Sequence, residues 1–115
     1  MTAAAPLAVT MGEPAGVGGE LSLKAWQARR SGSRPFFVLD DPGRLASLAG
    51  QLGIDVPLRE IAGPGEAASV FSGALPVLPV RLAAPSTPGR PDVANAPATI
   101  EAIERAVRFA QGGIV

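Results

Sequence analysis

Histidine, cysteine and tyrosine are all absent from this 115-residue chain. Without histidine there is no imidazole to act as a general base near neutral pH, and the commonest metal ligand is missing. Without cysteine there is no disulfide framework and no thiolate chemistry. Large aromatic volume is scarce, with four Phe and one Trp, so a core must be built from Leu, Val, Ile and Ala. Charge of one sign is also lacking. Ten Lys and Arg balance ten Asp and Glu, which leaves no basic surplus for nucleic acid or an anionic membrane surface. Apolar runs such as Leu75–Val80 are far shorter than the ~20 residues that span a bilayer. The first charged residue is Glu13, so a cationic signal-peptide n-region is not expected and the cytoplasm is the expected location.

What the chain does have is glycine in a telling place. Leu7-Ala8-Val9-Thr10 reads as a short apolar strand, followed by a turn holding Gly12, Gly16, Gly18 and Gly19, and then by a helical pattern. Such a turn lets a phosphate, ribose or carboxylate approach bare backbone at a helix N-terminus, where the dipole favours negative charge. The spacing fits neither common nucleotide loop. No Lys follows a glycine here, the nearest being Lys24 inside the helix, so a Walker loop is excluded. Gly16-Val17-Gly18 starts a dinucleotide fingerprint, but Leu21 stands where its third glycine belongs. A tight strand-to-helix turn and a ligand loop are both compatible with the glycines alone.

The rest of the chain alternates strand and helix. Glu20–Arg30 is expected to be a helix burying Leu21, Ala25 and Ala28, with Gly32 as its stop. Phe36–Leu39 is expected as a buried strand. Asp41 then supplies an N-cap with Pro42 at the first helical position, and Leu45, Leu48, Ala49 and Leu52 follow at helical spacing before Gly53. Ile54–Leu58 is a candidate edge strand, Glu66–Val70 one helical turn, and Leu75–Val80 an edge-like or irregular strand because it contains Pro76 and Pro79. Ala83–Pro91 is a proline-rich loop. From Asn95 a long helix is expected to bury Ile100, Ile103, Val107 and Ala110 and to end at Gly112-Gly113, with Ile114-Val115 opening a new strand. This alternation implies an α/β fold with a largely parallel sheet flanked by helices.

The run Thr10-Met11-Gly12-Glu13-Pro14-Ala15-Gly16-Val17-Gly18-Gly19-Glu20 resembles the opening T-x-G-E-P-A-G-I-G-P-E of the 4-hydroxythreonine-4-phosphate dehydrogenases of vitamin B6 biosynthesis. Phe37-Val38-Leu39-Asp40-Asp41-Pro42 resembles that family's second strand and turn. Pro88-Gly89-Arg90-Pro91-Asp92, Asn95-Ala96 and Ile103-Glu104-Arg105-Ala106-Val107 resemble its P-G-K-P-D, N-A and I-E-R-A-V stretches. The similarity spans the chain. Departures are Val17 for Ile, Arg90 for Lys, and Gly19 where many members carry Pro, which removes a fixed φ from the helix start.

The resemblance implies that residues 1–115 are an incomplete N-terminal lobe of an isopropylmalate-dehydrogenase-like fold. It also implies a homodimeric enzyme that uses NAD or NADP to oxidise 4-phosphooxy-L-threonine, a small phosphorylated hydroxy amino acid, to a β-keto acid that decarboxylates to 3-amino-2-oxopropyl phosphate. A divalent metal such as zinc, magnesium or cobalt, held by three histidines, belongs to that reaction, and its ligands cannot lie in a chain without histidine. No catalytic or metal-binding residue is therefore assigned, nor is a nucleic-acid or membrane partner. Relatives that act on phosphorylated sugar acids keep the exact substrate open.

Gly12, Glu13, Gly16 and Gly18 are the candidate cofactor-binding residues. Glu13 would either meet a cofactor ribose or order its own turn through backbone amides. Asp40, at a strand end, is a further candidate to meet a ribose. Capping explains Asp41 and Asn95, an Asx-type turn Asp92, and the helix dipole Glu20. The fragment by itself is expected to be inactive. The alternatives are a stand-alone nucleotide- or phosphate-binding module and a non-functional product of a truncated gene.

Overall fold

The computed structural model describes residues 5–30 and 32–115. Its elements are β1 (Leu7–Thr10), α1 (Gly18–Gln27), β2 (Phe36–Asp40), α2 (Pro42–Leu52), β3 (Leu58–Glu60), α3 (Ala67–Phe71), β4 (Leu75–Pro79) and α4 (Ala96–Gln111), with 3-10 turns at Pro64–Glu66 and Val93–Asn95. The strands form a four-stranded sheet in the order β1-β2-β4-β3. Every neighbouring pair is parallel. The α/β class with a parallel, helix-flanked sheet is thus what the chain adopts. No helix among the described residues is long and apolar enough to cross a membrane.

Strand alternation divides the core between the two faces of the sheet. Phe37, Leu39 and Leu78 pack with Met11, Ala98 and Ala102 under α4. Val38, Leu75 and Val77 pack with Leu23, Trp26, Leu45 and Ala49 under α1 and α2. Trp26 is fixed at its polar end, where Nε1 donates to the Phe71 carbonyl at 2.8 Å.

Four expectations need correction. First, α1 buries Gly19, Ser22, Leu23 and Trp26, while Leu21 is 61% exposed. Small residues face α2, because a Cβ on Gly19 would run into the Arg44 guanidinium and lie 2.9 Å from Leu48 Cδ2. The helix also stops at Gln27, and Arg29 turns back so that its guanidinium carbon sits 3.4 Å from the Trp26 ring centroid. Gly32, at φ +85°, therefore lies in the following turn and not at the helix end.

Second, β4 is a central strand despite its prolines. Leu75 N–H donates to Pro57 and Val77 C=O accepts from Ile61, so the odd residues turn towards β3, whereas Val80 N–H donates to Asp40 on the β2 side. The N–H that Pro76 lacks would face β2 just ahead of the first pair there, Val38 with Val77. The one that Pro79 lacks would face β3 beyond the last pair, Glu60 with Val77. Each missing N–H thus falls just outside the pairs formed on its side of the strand. Third, the edge strand β3 lies at Leu58–Glu60, after Pro57, and not at Ile54–Leu58.

Fourth, α4 turns the opposite side inward. Ala98 and Ala102 are its buried residues, and Ile100, Ile103 and Val107 are 55%, 48% and 48% exposed. Alanines bring the helix axis close to the sheet, which the bulkier isoleucines would hold away. Ile114 and Val115 form no strand, and Val115 packs against the core cluster under α4.

Candidate functional site

The C-terminal ends of β1, β2 and β4 open onto a cavity of about 350 Å³, whose wall includes Pro14, Gly16, Asp41, Arg44, Ser47 and Ser86. In open α/β sheets this end of the strands is where ligands bind. Three loops meet there, and each is held by polar bonds that the sequence specifies.

The glycine turn after β1 is ordered from within. Glu13 Oε1 accepts from the Ala15 amide at 3.1 Å, and the Glu13 carbonyl accepts from the Gly16 amide at 2.8 Å. Gly12 alone among the four glycines has a positive φ, +65°, a conformation that L side chains rarely adopt. Gly18 is needed for space, since a Cβ there would lie 2.8 Å from the Met11 carbonyl oxygen. Gly12, Glu13 and Gly16 are exposed, and Gly18 is half-buried. The N-cap of α1, Val17, is 65% exposed and provides no side-chain acceptor to the first turn. The turn thus presents glycine backbone and an uncapped helix start on the outside of the molecule, the feature that favours an anionic group.

Asp41 ties the second loop to the third. Its Oδ1 accepts from the Gly43 and Arg44 amides at 2.9 and 3.3 Å, capping α2, and its Oδ2 accepts from the Leu82 amide at 2.9 Å. Pro42 occupies the first turn, and Gly53, at φ +67°, closes the helix. The loop after β4 then folds back over the glycine turn, with Ser86 Oγ donating to the Pro14 carbonyl at 2.7 Å and the Gly89 amide to the Ala15 carbonyl at 2.9 Å. Asp92 makes the Asx-type turn, accepting from the Ala94 amide at 2.9 Å. Asn95 does not cap α4. It is 2% exposed, and its Oδ1 accepts from the Ala84 amide at 2.9 Å, fastening the loop from beneath.

Asp40 is not a ribose ligand in waiting. It is 1% exposed, accepts from the Asp41 amide at 2.7 Å and lies 3.5 Å from Arg44 Nε. Burial raises its pKa from 3.8 to about 6, against the opposing pull of the Arg44 charge. Arg44 itself runs between α1 and α2 with Nε and Nη2 sealed from solvent and without a hydrogen-bond partner. No signal in the sequence pointed to Arg44, because its burial depends on the glycine facing it across the helix pair.

The residues present do not fit the metal of the resembled family. The chain has no histidine. Among the described residues no three His, Cys, Asp or Glu side chains converge as a metal site. What they do present is exposed glycine backbone beside an uncapped helix start, a feature that favours an anionic group.

No family model matches the sequence. Among curated relatives, the 4-hydroxythreonine-4-phosphate dehydrogenase of Xanthobacter autotrophicus is 43% identical over 114 residues, covering 98% of this chain and 32% of its own length. The Methylorubrum extorquens protein of the same name is 46% identical over 111 residues, again 32% of its length. The crystal structure of a 4-hydroxythreonine-4-phosphate dehydrogenase from Burkholderia phymatum superposes with a TM-score of 0.85 at 27% identity, covering 99% of this chain and 35% of that one. The chain therefore spans about a third of the length of the relatives it matches. Sequence and fold together place it in the 4-hydroxythreonine-4-phosphate dehydrogenase family.

Proposed function

We propose that these residues form the N-terminal part of an NAD-dependent dehydrogenase. The reaction is oxidation of 4-phosphooxy-L-threonine to a β-keto acid, which loses carbon dioxide to give 3-amino-2-oxopropyl phosphate. The observation that carries this reading is the 43–46% identity to dehydrogenases of that name, running through an exposed glycine turn at the C-terminal ends of the strands.

In this reading the amides around Gly12, Gly16 and Gly18 take an anionic part of NAD or NADP, and Glu13 holds the turn in shape through the Ala15 amide. Asp41 and Asn95 fix the two neighbouring loops so that the cavity keeps its form. The groups that bind substrate and divalent metal belong to the two thirds of the relatives' length that this chain does not match. The working enzyme is a cytoplasmic homodimer. The 115 residues alone turn over no substrate.

Calorimetric titration of the chain with NAD, NADP and inorganic phosphate, alongside an assay for NADH formation with metal and substrate, tests the proposal. Weak, saturable binding of NAD without turnover supports it. Turnover by the chain alone contradicts it, and tight phosphate binding indifferent to the nucleotide marks a phosphate-binding module.

A further inference from the structure

Helix α4 is apolar on two opposite sides. Ala98, Ala102, Ala106 and Phe109 recur at helical spacing on the sheet side, buried or packed against the core cluster. Ile100, Ile103 and Val107 recur on the outer side, each about half exposed. Ion pairs run beside the outer stripe, Glu101 with Arg105 at 3.4 Å and Glu104 with Arg108 at 3.9 Å. A helix with one covered face carries polar residues on the other, whereas one that is apolar on both sides belongs between two layers.

The size of the stripe selects its occupant. Three half-exposed aliphatic side chains fall well short of the roughly 800 Å² per partner of a stable interface between free proteins. A segment of the same polypeptide needs far less, because tethering holds it at a high effective concentration. The relatives supply such a segment, as two thirds of their length lies outside the match. We infer that the Ile100–Ile103–Val107 face of α4 is an internal packing surface, covered by the remaining polypeptide of the same subunit. This rests on the reading that the chain is part of a longer dehydrogenase, but not on how that enzyme binds NAD.

The test compares one substitution in two settings. In the first, this chain is studied alone. In the second, it replaces the matching 114 residues of the Xanthobacter autotrophicus relative. Ile103→Glu is expected to shift the melting temperature of the isolated chain by less than about 1 °C and to lower that of the chimera by about 2–4 °C or more. Gln27→Glu, at an exposed polar position of α1, serves as the control and is expected to leave both unchanged. Equal small shifts of Ile103→Glu in both settings overturn the inference. So does a concentration-dependent dimer of the isolated chain that Ile103→Glu abolishes, which would make a second copy the occupant. Hydroxyl-radical labelling covers a chimera that does not fold. The outer face of α4 should label strongly in the isolated chain and weakly in the helix matching α4 of the intact relative, and equal labelling overturns the inference. A chain that fails to bind NAD leaves these readouts untouched.

Discussion

Arg44 Nε lies 3.5 Å from Asp40 Oδ1 across the junction of β2 and α2, with the two side chains only 8% and 2% exposed. The pair is buried without good hydrogen-bond geometry, as the unpartnered Nε and Nη2 of Arg44 show. Desolvation therefore outweighs attraction, and Asp40 holds its proton up to about pH 6.

The sign of the resulting pH dependence follows from proton binding. The native state binds more protons at Asp40 than the unfolded state between the ordinary value of 3.8 and about 6. Its contribution to stability is complete below pH 3.8 and is lost as pH rises through about 6. Between pH 5 and 7.5 this amounts to about 1 kcal/mol. In Asp40→Asn the contribution is absent, so the variant should gain about that much relative to the parent across the same interval. Urea unfolding of both proteins at the two pH values reads the difference, and a flat difference contradicts the burial argument.

Asp41 accepts three hydrogen bonds from backbone amides with one carboxylate. Asp41→Ala removes the cap of α2 and the Leu82 anchor together, with an expected cost of about 2–3 kcal/mol. A lowered urea midpoint at unchanged m-value checks it, and backbone hydrogen exchange should rise both at the start of α2 and at Leu82.

The glycines of the turn are not equivalent. Gly18→Ala drives a methyl group to within 2.8 Å of the Met11 carbonyl and should cost about 1–3 kcal/mol. Gly65→Ala, with open space around it and an ordinary φ, should be neutral or slightly stabilising. Thermal unfolding of the two variants separates a packing requirement from a general effect of losing glycine.

Asn95→Ala leaves the Ala84 amide without its acceptor and loosens the loop that rests on the glycine turn. The expected effect is about 1–3 kcal/mol of stability, accompanied by faster exchange at Ala84 and Gly89. Unchanged exchange at both amides would show that the loop is held by its prolines instead.

These residues show where the sequence was readable. Helix α2 was legible throughout, because its signals are local: a capping Asp41, Pro42 in the first turn, Leu45 and Ala49 inward and a left-handed Gly53. The parallel α/β class followed from alternation for the same reason. The inward faces of α1 and α4 were not legible, because small residues, Gly19 and Ser22 in one and Ala98 and Ala102 in the other, make the close contacts while larger apolar residues point outward. Hydrophobic periodicity gives weight to size and misses close approach. The central place of β4 depended on its register, which puts the backbone nitrogens of Pro76 and Pro79 outside the paired stretches. The glycine turn was visible as a motif. Ser86, which bonds the turn, Asn95, which holds the loop carrying Ser86, and Arg44, in the cavity wall, come from distant parts of the chain and carry no pattern of their own.

These residues are proposed to do the work of the matching third of a 4-hydroxythreonine-4-phosphate dehydrogenase. Steady-state NADH formation from 4-phosphooxy-L-threonine, measured on the purified chimera with the Xanthobacter autotrophicus relative, tests it most directly. Activity within about tenfold of the unaltered relative is expected, equivalent to about 1.4 kcal/mol of transition-state stabilisation. A chimera that folds and binds substrate but forms no NADH would contradict it.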